Sequence, residues 1–148
     1  MKILIAEDDR LSRTFMAEFM ADYGECHLAA DGMQAMNAYI EALKAGEPYD
    51  LLCLDIMMPE VDGLKVLKVI RELEEQNGVA TDERLKIVMM TAVADMDNIN
   101  EAFELGCDAY ASKPIDTDKI KELLAGLGIM PLGGKSEQKA EKPEGGTI

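Results

Sequence analysis

Four sets of residues in this 148-residue chain could do chemistry together, and each follows a short apolar run. Glu7, Asp8 and Asp9 come directly after Lys2-Ile3-Leu4-Ile5-Ala6, and Asp55 ends the run Leu51-Leu52-Cys53-Leu54. Thr91 closes Leu85 to Met90, and Lys113 follows the run Cys107 to Ala111 by two residues. Three or four carboxylates in one crevice repel each other and raise each other's pKa values. A divalent cation relieves this. Ligation by a few carboxylates, completed by water and backbone oxygen, suits Mg²⁺ better than a dedicated Ca²⁺ cage. The lysine adds a fixed positive charge, and the threonine hydroxyl can donate to an anionic oxygen. Such a set can hold a phosphoryl group on a carboxylate nucleophile. Taken singly, a strand-end aspartate is as well explained by solvation or by capping a turn.

The elements that must bring these groups together can be read from periodicity. The apolar runs have the length of strands buried on both faces, as in a parallel sheet. Beyond Asp55 the chain must turn, because Pro59 lacks an N–H and biases Met58 away from helix. Asp62 then caps the helix that Gly63 begins. Leu11, Phe15 and Phe19, flanked by Met16 and Met20, predict a first helix stopped by Gly24. Met33, Met36, Ile40 and Leu43 predict the inner side of a second, and Val66, Leu67, Ile70 and Leu73 that of a third. The polar segment Glu74 to Arg84 reads as a long exposed connection. Asp95 to Leu105 reads as a fourth helix closed by Gly106. A fifth, capped by Asp116, runs through Leu127 with Ile120, Leu123 and Leu124 inward.

Strand and helix thus alternate five times. The expected fold is α/β: a flavodoxin-like, doubly wound, five-stranded parallel sheet with five helices. Right-handed crossovers place every strand's carboxyl end on one edge, where open α/β sheets bind their ligands. Residues 128–148 differ in kind, with Gly133-Gly134, Pro143 and a Lys/Glu/Gln run. The expected organisation is one domain over 1–127 followed by a disordered polar tail over 128–148.

Composition excludes several classes. The 29 acidic and 15 basic residues give a net charge of -14, and no basic stretch offsets it, so nucleic acid is not an expected partner. No apolar run is long enough for a membrane span, and the start is not a signal peptide, which points to the cytoplasm. Cys26, Cys53 and Cys107 have neither metal-ligand nor redox spacing and read as buried, reduced thiols. His27, the only histidine, has no partner for a zinc site.

The set Glu7-Asp8, Asp55, Met58-Pro59 with Asp62-Gly63, Thr91-Ala92 and Lys113-Pro114 resembles the receiver domain of two-component response regulators. The similarity runs from Met1 to about Leu127, in order and at the family's spacing, apart from a longer connection within Glu74 to Arg84. The resemblance implies that Asp55 accepts a phosphoryl group from a phosphohistidine on a sensor histidine kinase or a histidine phosphotransfer protein. It implies that Asp8, Asp55 and the Met57 backbone carbonyl ligate Mg²⁺, with Glu7 acting through water. Lys113 would contact the phosphoryl oxygens, and its bond to Pro114 would be cis. Thr91 and Tyr110 match the family's switch pair, which would alter a surface read by a downstream effector protein. The resemblance also implies that Met57 and Val93 lie where phosphoryl lifetime is tuned. Asp9, one place beyond the usual acidic pair, is better read as a helix cap.

Because nothing resembling an output domain follows, the expectation is a single-domain regulator that is not itself an enzyme, beyond self-catalysed phosphorylation and dephosphorylation. The alternatives are a phosphorelay intermediate that passes the phosphoryl group on, and a fragment whose output domain was removed. An aspartate-nucleophile phosphatase would need an acid two residues past its nucleophile, where Met57 stands. A nucleotide-binding module would need a glycine-rich loop after the first strand, where acids stand instead.

Overall fold

The computed structural model describes residues 1–92 and 96–132. Five strands alternate with five helices: β1 (Lys2–Ala6), α1 (Arg10–Met20), β2 (Glu25–Ala29), α2 (Gly32–Lys44), β3 (Leu51–Asp55), α3 (Gly63–Gln76), β4 (Lys86–Ala92), α4 (Met96–Leu105), β5 (Ala109–Lys113) and α5 (Thr117–Gly126). All pairings are parallel, in the order β2-β1-β3-β4-β5. This is the flavodoxin-like doubly wound sheet, with its order reversing between β1 and β3.

The period of two along each strand divides the interior. Leu4, Leu52, Leu54, Ile87 and Met89 face α2, α3 and α4, whereas Ile3, Ile5, Leu51, Cys53, Val88 and Met90 face α1 and α5. Both faces of β3 are buried at every position, which is why its sequence is a continuous apolar run. Asp9, Asp31, Asp62 and Asp116 cap helices α1, α2, α3 and α5 by accepting from backbone N–H groups one turn in. Each such cap is worth about 1 kcal/mol and fixes where its helix leaves the carboxyl edge.

Several expectations need correction. Leu11 and Phe15 do not belong to the buried face of α1. They are 81% and 42% exposed, while Met16 and Met20 fill the core. Phe15 and Met16 share a turn, so it is the side of the helix each occupies that separates the exposed ring from the buried thioether. On α2 the buried stripe is Ala35, Tyr39 and Ala42 rather than the methionines, and Met33 is exposed. Small residues there let the helix lie close to β1. Helix α3 continues through Glu74 to Gln76, and Glu74 is buried, so the exposed connection is shorter than the polar composition suggests. That connection includes a short 3-10 turn, Thr81–Glu83. Strand β4 extends past Thr91 to Ala92. Strand β5 starts at Ala109, because the Cys107 N–H is committed to the Ala102 carbonyl in the turn that ends α4.

The proposed tail also starts too early. Ile129 is buried against the α1/α5 core, and the Leu132 N–H donates to the Asp22 carbonyl at 2.8 Å. With the Gly128 and Ile129 N–H groups also bonded to the Ala125 and Leu124 carbonyls, these contacts keep 128–132 on the domain. Residues 133–148, Val93 and the expected helix start at Asp95 lie outside the described residues.

Candidate functional site at the carboxyl edge

Alternation along the strands decides which groups meet. Glu7, Asp55 and Lys113 each continue the alternation that faces α1 and α5, so they converge at the carboxyl edge on that side. Lys113 Nζ lies 3.2 Å from Asp55 Oδ2 and 2.6 Å from Glu7 Oε1. Carboxylate oxygens of Glu7, Asp8 and Asp55 all lie within 4.8 Å of one another. Glu7 and Asp55 are almost fully buried, and Asp8 is exposed at the mouth. The Lys113–Pro114 peptide is cis.

The β3–α3 loop is held in place by close packing. Gly63 lies so near the chain after Asp55 that a Cβ there would stand 2.3 Å from the Asp55 carbonyl oxygen. Gly63 N–H donates to the Ile56 carbonyl at 2.8 Å, and Met57 N–H reaches Asp55 Oδ1 at 3.3 Å. Between them Glu60 adopts φ 67°, with Val61 N–H bonded to the Pro59 carbonyl. This is a γ-turn of the strained hand, within the loop that follows Asp55.

Electrostatics follow from burial. Burial and the neighbouring Glu7 push the Asp55 carboxyl up, to about 7, against the attraction of Lys113. Burial works against the Lys113 ammonium, but Glu7 and Asp55 outweigh it and raise its pKa. The single Lys113 ammonium thus stands between two buried carboxylates, closer to Glu7 than to Asp55. Three crowded acids with one ammonium between them fit a small hard cation and its bound water. Without divalent cations, ionising Asp55 therefore costs stability. That contribution is complete below the ordinary value of 3.8 and is lost as pH rises through about 7. Metal-free protein is expected to melt at a lower temperature at pH 8 than at pH 5.5. Asp55→Asn should remove much of that difference, as thermal scans in a chelating buffer would show.

The remaining site residues lie on the other face of the sheet. Thr91 is fully buried at the end of β4, and its hydroxyl donates to the Ala92 carbonyl at 3.1 Å. Tyr110 sits on β5, 36% exposed, edge-on to Phe103 with ring centroids 6.1 Å apart. Its ring is turned outward in this structure. Asp9 accepts from the Ser12 N–H at 2.8 Å and is the cap of α1, not part of the acid cluster. The thiols of Cys53 and Cys107 are pushed up by burial to about 12 and about 11, which makes them poor nucleophiles.

One feature was not legible in the sequence. Leu11 and Phe15 join Met16, Pro114 and Ile115 in a groove of about 310 Å³ that opens beside Glu7 and Lys113. The signal was present as apolar residues four apart just after an acidic run, but the same spacing is what a buried face would show.

An acidic crevice with a lysine, on the carboxyl edge of a sheet of this order, marks the phosphoryl-signalling class of α/β modules. A family model, the response regulator receiver domain, matches residues 3–125, and the chain belongs to that family of two-component signalling. It is 35% identical over 139 residues to the osmosensing histidine protein kinase SLN1 of Saccharomyces cerevisiae, covering 93% of this chain but 11% of the kinase. It is 32% identical to sporulation initiation phosphotransferase F of Bacillus subtilis, covering 82% of this chain and 88% of that protein. Among solved structures, the receiver domain of AraT from Geobacillus stearothermophilus superposes with a TM-score of 0.70 at 27% identity, covering 95% and 98% of the two chains. The receiver domain of yeast Ssk1, crystallised with the histidine phosphotransfer protein Ypd1, gives 0.72 at 25% identity, covering 84% of this chain and 86% of that one. No helix among the described residues is long and apolar enough to cross a membrane.

Proposed function

We propose that this chain accepts a phosphoryl group on Asp55 from a protein phosphohistidine and uses it to switch a partner-binding surface. The observation that carries the reading is the Asp55 carboxylate, buried beside Lys113 and within ligand distance of Glu7 and Asp8. An Asp55 oxygen forms the new P–O bond as the donor's P–N bond breaks, with the electron pair leaving on the imidazole nitrogen. Asp8, Asp55 and the Met57 carbonyl would hold Mg²⁺, with Glu7 bound through water. The ion supplies charge neutralisation on the transferring group. Lys113 supplies the complementary charge from the protein side. Buried walls exclude water from all but the mouth.

The groove along α1 suits the donor. It is largely apolar and borders Glu7 and Lys113, so a helix bearing the phosphohistidine could lay an apolar face there while its imidazole reaches Asp55. The relation to a phosphotransferase and to a receiver crystallised with a phosphotransfer protein supports such partners. Hydrolytic turnover of phosphate esters is disfavoured by Met57, which is exposed where a phosphatase needs an acid.

Switching follows from the other face. A phosphoryl group adds acceptor oxygens within reach of the β4 end. The Thr91 hydroxyl exchanges its Ala92 partner for one of them, and the Tyr110 ring moves inward into the space vacated. An effector would read this change on α4, β5 and α5.

The direct test is intact mass after incubation with acetyl phosphate, with and without Mg²⁺. One added phosphoryl group, dependent on Mg²⁺, is the expected result. No addition under conditions where Mg²⁺ binds would overturn it. Lys113→Ala is expected to keep Mg²⁺ binding but to lose the coupling. A phosphorylation-dependent change in effector affinity, ordinarily about 5–150-fold for coupled sites, should fall below about twofold. Titration of the effector against both forms of the variant measures this directly.

A further inference from the structure

Asp31 caps α2 and Gly32 opens it, at the carboxyl edge and against the loop that follows Asp55. The Gly32 backbone lies outside the left-handed region, so its conformation alone does not call for a glycine. Space does. A Cβ on Gly32 would overlap the Val61 carbonyl oxygen, and would stand 2.8 Å from the Val61 Cβ and 3.0 Å from its carbonyl carbon. The carbonyl belongs to the backbone, so no change of rotamer relieves that overlap. Glycine is the residue that lets one stretch of backbone come this close to another. Val61, in turn, packs on the core beneath α2 and α3, and its N–H closes the γ-turn over Glu60.

What holds each partner decides which of them would yield. The entry to α2 is fixed twice, because Asp31 Oδ1 accepts the Gln34 N–H at 2.8 Å and Gln34 Oε1 accepts the Ala30 N–H at 2.8 Å. Ala35, Tyr39 and Ala42, buried along the same helix, anchor it to the sheet. The loop is tied more lightly. Among the described residues, the only backbone-to-backbone hydrogen bond donated from within 57–61 runs from Val61 to Pro59, across the strained Glu60. Gly63 pins the far end of the loop against the Asp55 carbonyl. A methyl group on Gly32 would therefore displace Val61, and the shift would fall on 57–61. That stretch includes Met57, whose N–H already reaches Asp55 Oδ1 at 3.3 Å.

We infer that Gly32 is a positioning residue for phosphoryl acceptance: by admitting Val61, it sets the place of the loop that presents the Met57 carbonyl beside Asp55. The inference rests on the Mg²⁺ ligation proposed above and extends it to a residue that contributes no ligand. Groups that hold a metal ligand in place without touching the metal matter by about 10–100-fold in affinity. A backbone carbonyl is the ligand most exposed to this effect. A carboxylate can turn about its side-chain bonds to follow the ion, whereas a carbonyl moves only with its planar peptide and hence with its loop.

The test compares the full chain with Gly32→Ala by amide shifts in two-dimensional NMR, first without metal and then on titration with Mg²⁺. Gly24→Ala is the control. A Cβ there would overlap the Met1 carbonyl oxygen to the same degree and stand 3.0 Å from its carbon, but at the amino edge. Gly32→Ala is expected to shift the metal-free amides of Ile56 and Met57, and to raise the Mg²⁺ dissociation constant by about tenfold. Gly24→Ala should leave those amides in place and the dissociation constant within about twofold, whatever it does to stability. Should Gly32→Ala fail to fold, Val61→Gly replaces it. That variant adds no overlap, removes the side chain beside Gly32, and should weaken Mg²⁺ in the same direction. Parent-like Mg²⁺ affinity in whichever of these folds, or equal losses in Gly32→Ala and Gly24→Ala, would overturn the inference. A parent that shows no Mg²⁺ response would instead overturn the metal reading. The metal-free shifts would then decide alone, and changes confined to Val61 and its immediate neighbours would show that Gly32 does not set the loop.

Discussion

Replacing Asp55 by asparagine is expected to abolish phosphoryl acceptance while leaving the domain at least as stable as before. The chemical reason is that an amide oxygen carries no full charge and cannot displace the donor nitrogen. Acceptance should fall by about three orders of magnitude or more, equivalent to about 4 kcal/mol or more of barrier. The structural reason concerns the fold. Asp55 is buried beside Glu7, and its ionised form is the unfavourable one there. The asparagine keeps the volume and removes a charge that Lys113 only partly balances. Without Mg²⁺ at pH 8, its unfolding midpoint in urea should therefore match or exceed that of the parent. Intact-mass labelling and urea titration on the same preparation check both halves. Labelling that persists at another residue would sink the assignment of the nucleophile, and a large loss of stability would sink the electrostatic account.

Arg71→Ala is expected to produce the largest loss of stability. The guanidinium ties together three parts of the chain that lie far apart in sequence. Nη1 donates to Glu74 Oε1 at 2.7 Å and to the Leu85 carbonyl at 2.8 Å, Nε to the Gly106 carbonyl at 2.9 Å, and Nη2 to Asp108 Oδ2 at 3.0 Å. Glu74 in turn accepts the Leu85 N–H at 2.7 Å, and Asp108 accepts the Ile87 N–H at 2.8 Å. The end of α3, the entry to β4 and the turn into β5 are thereby held by one side chain. Removing it leaves the Glu74 carboxylate buried without a counter-charge, a change that costs about 3–5 kcal/mol. Domains of this size have about 5–15 kcal/mol in total, so a large part of the stability is at stake. Replacing both partners by leucine should recover much of that loss, because the buried charge disappears with the arginine. The recovery will be incomplete, since the Leu85 N–H then lacks its acceptor, at a cost of about 1–3 kcal/mol. Urea unfolding of Arg71→Ala and of the double variant separates these terms. A loss under about 1 kcal/mol in the single variant would show that the network is solvated and not structural.

The contrast between these two sites explains what could be read in advance. The edge cluster was legible because a parallel sheet does the collecting. Once five apolar runs are seen as strands with right-handed crossovers, the residues after each run must share one edge, whatever their separation in sequence. Glu7, Asp55 and Lys113 are brought together in that way. The Arg71 network lacks such a rule. Glu74 looked like the start of a solvated connection because a glutamate in a polar stretch is normally exposed, and only the meeting of α3 with the β4 entry buries it. Helix faces were misjudged for a related reason. Hydrophobic spacing identifies a helix but not what covers it: Leu11 and Phe15 gave the periodic signal for α1, yet Met16 and Met20 are the residues that fill the core. Ile129 was missed because the run Ile129-Met130-Pro131-Leu132 is too short, and too broken by proline and flanking glycines, to give a periodic signal.

The hydrogen bond from Leu132 to Asp22 has a practical consequence for anyone wishing to watch this domain work. It holds Leu132 next to the end of α1, at the amino edge of the sheet. That is about 17 Å, the length of a five-residue strand, from the carboxylate that would be modified. A fluorophore, affinity handle or surface linker attached beyond Leu132 would thus hold the molecule by its base, with the reactive rim facing free solution. Immobilised in this orientation, the domain could be exposed in turn to donor, cation and effector, and each encounter recorded on the same molecules.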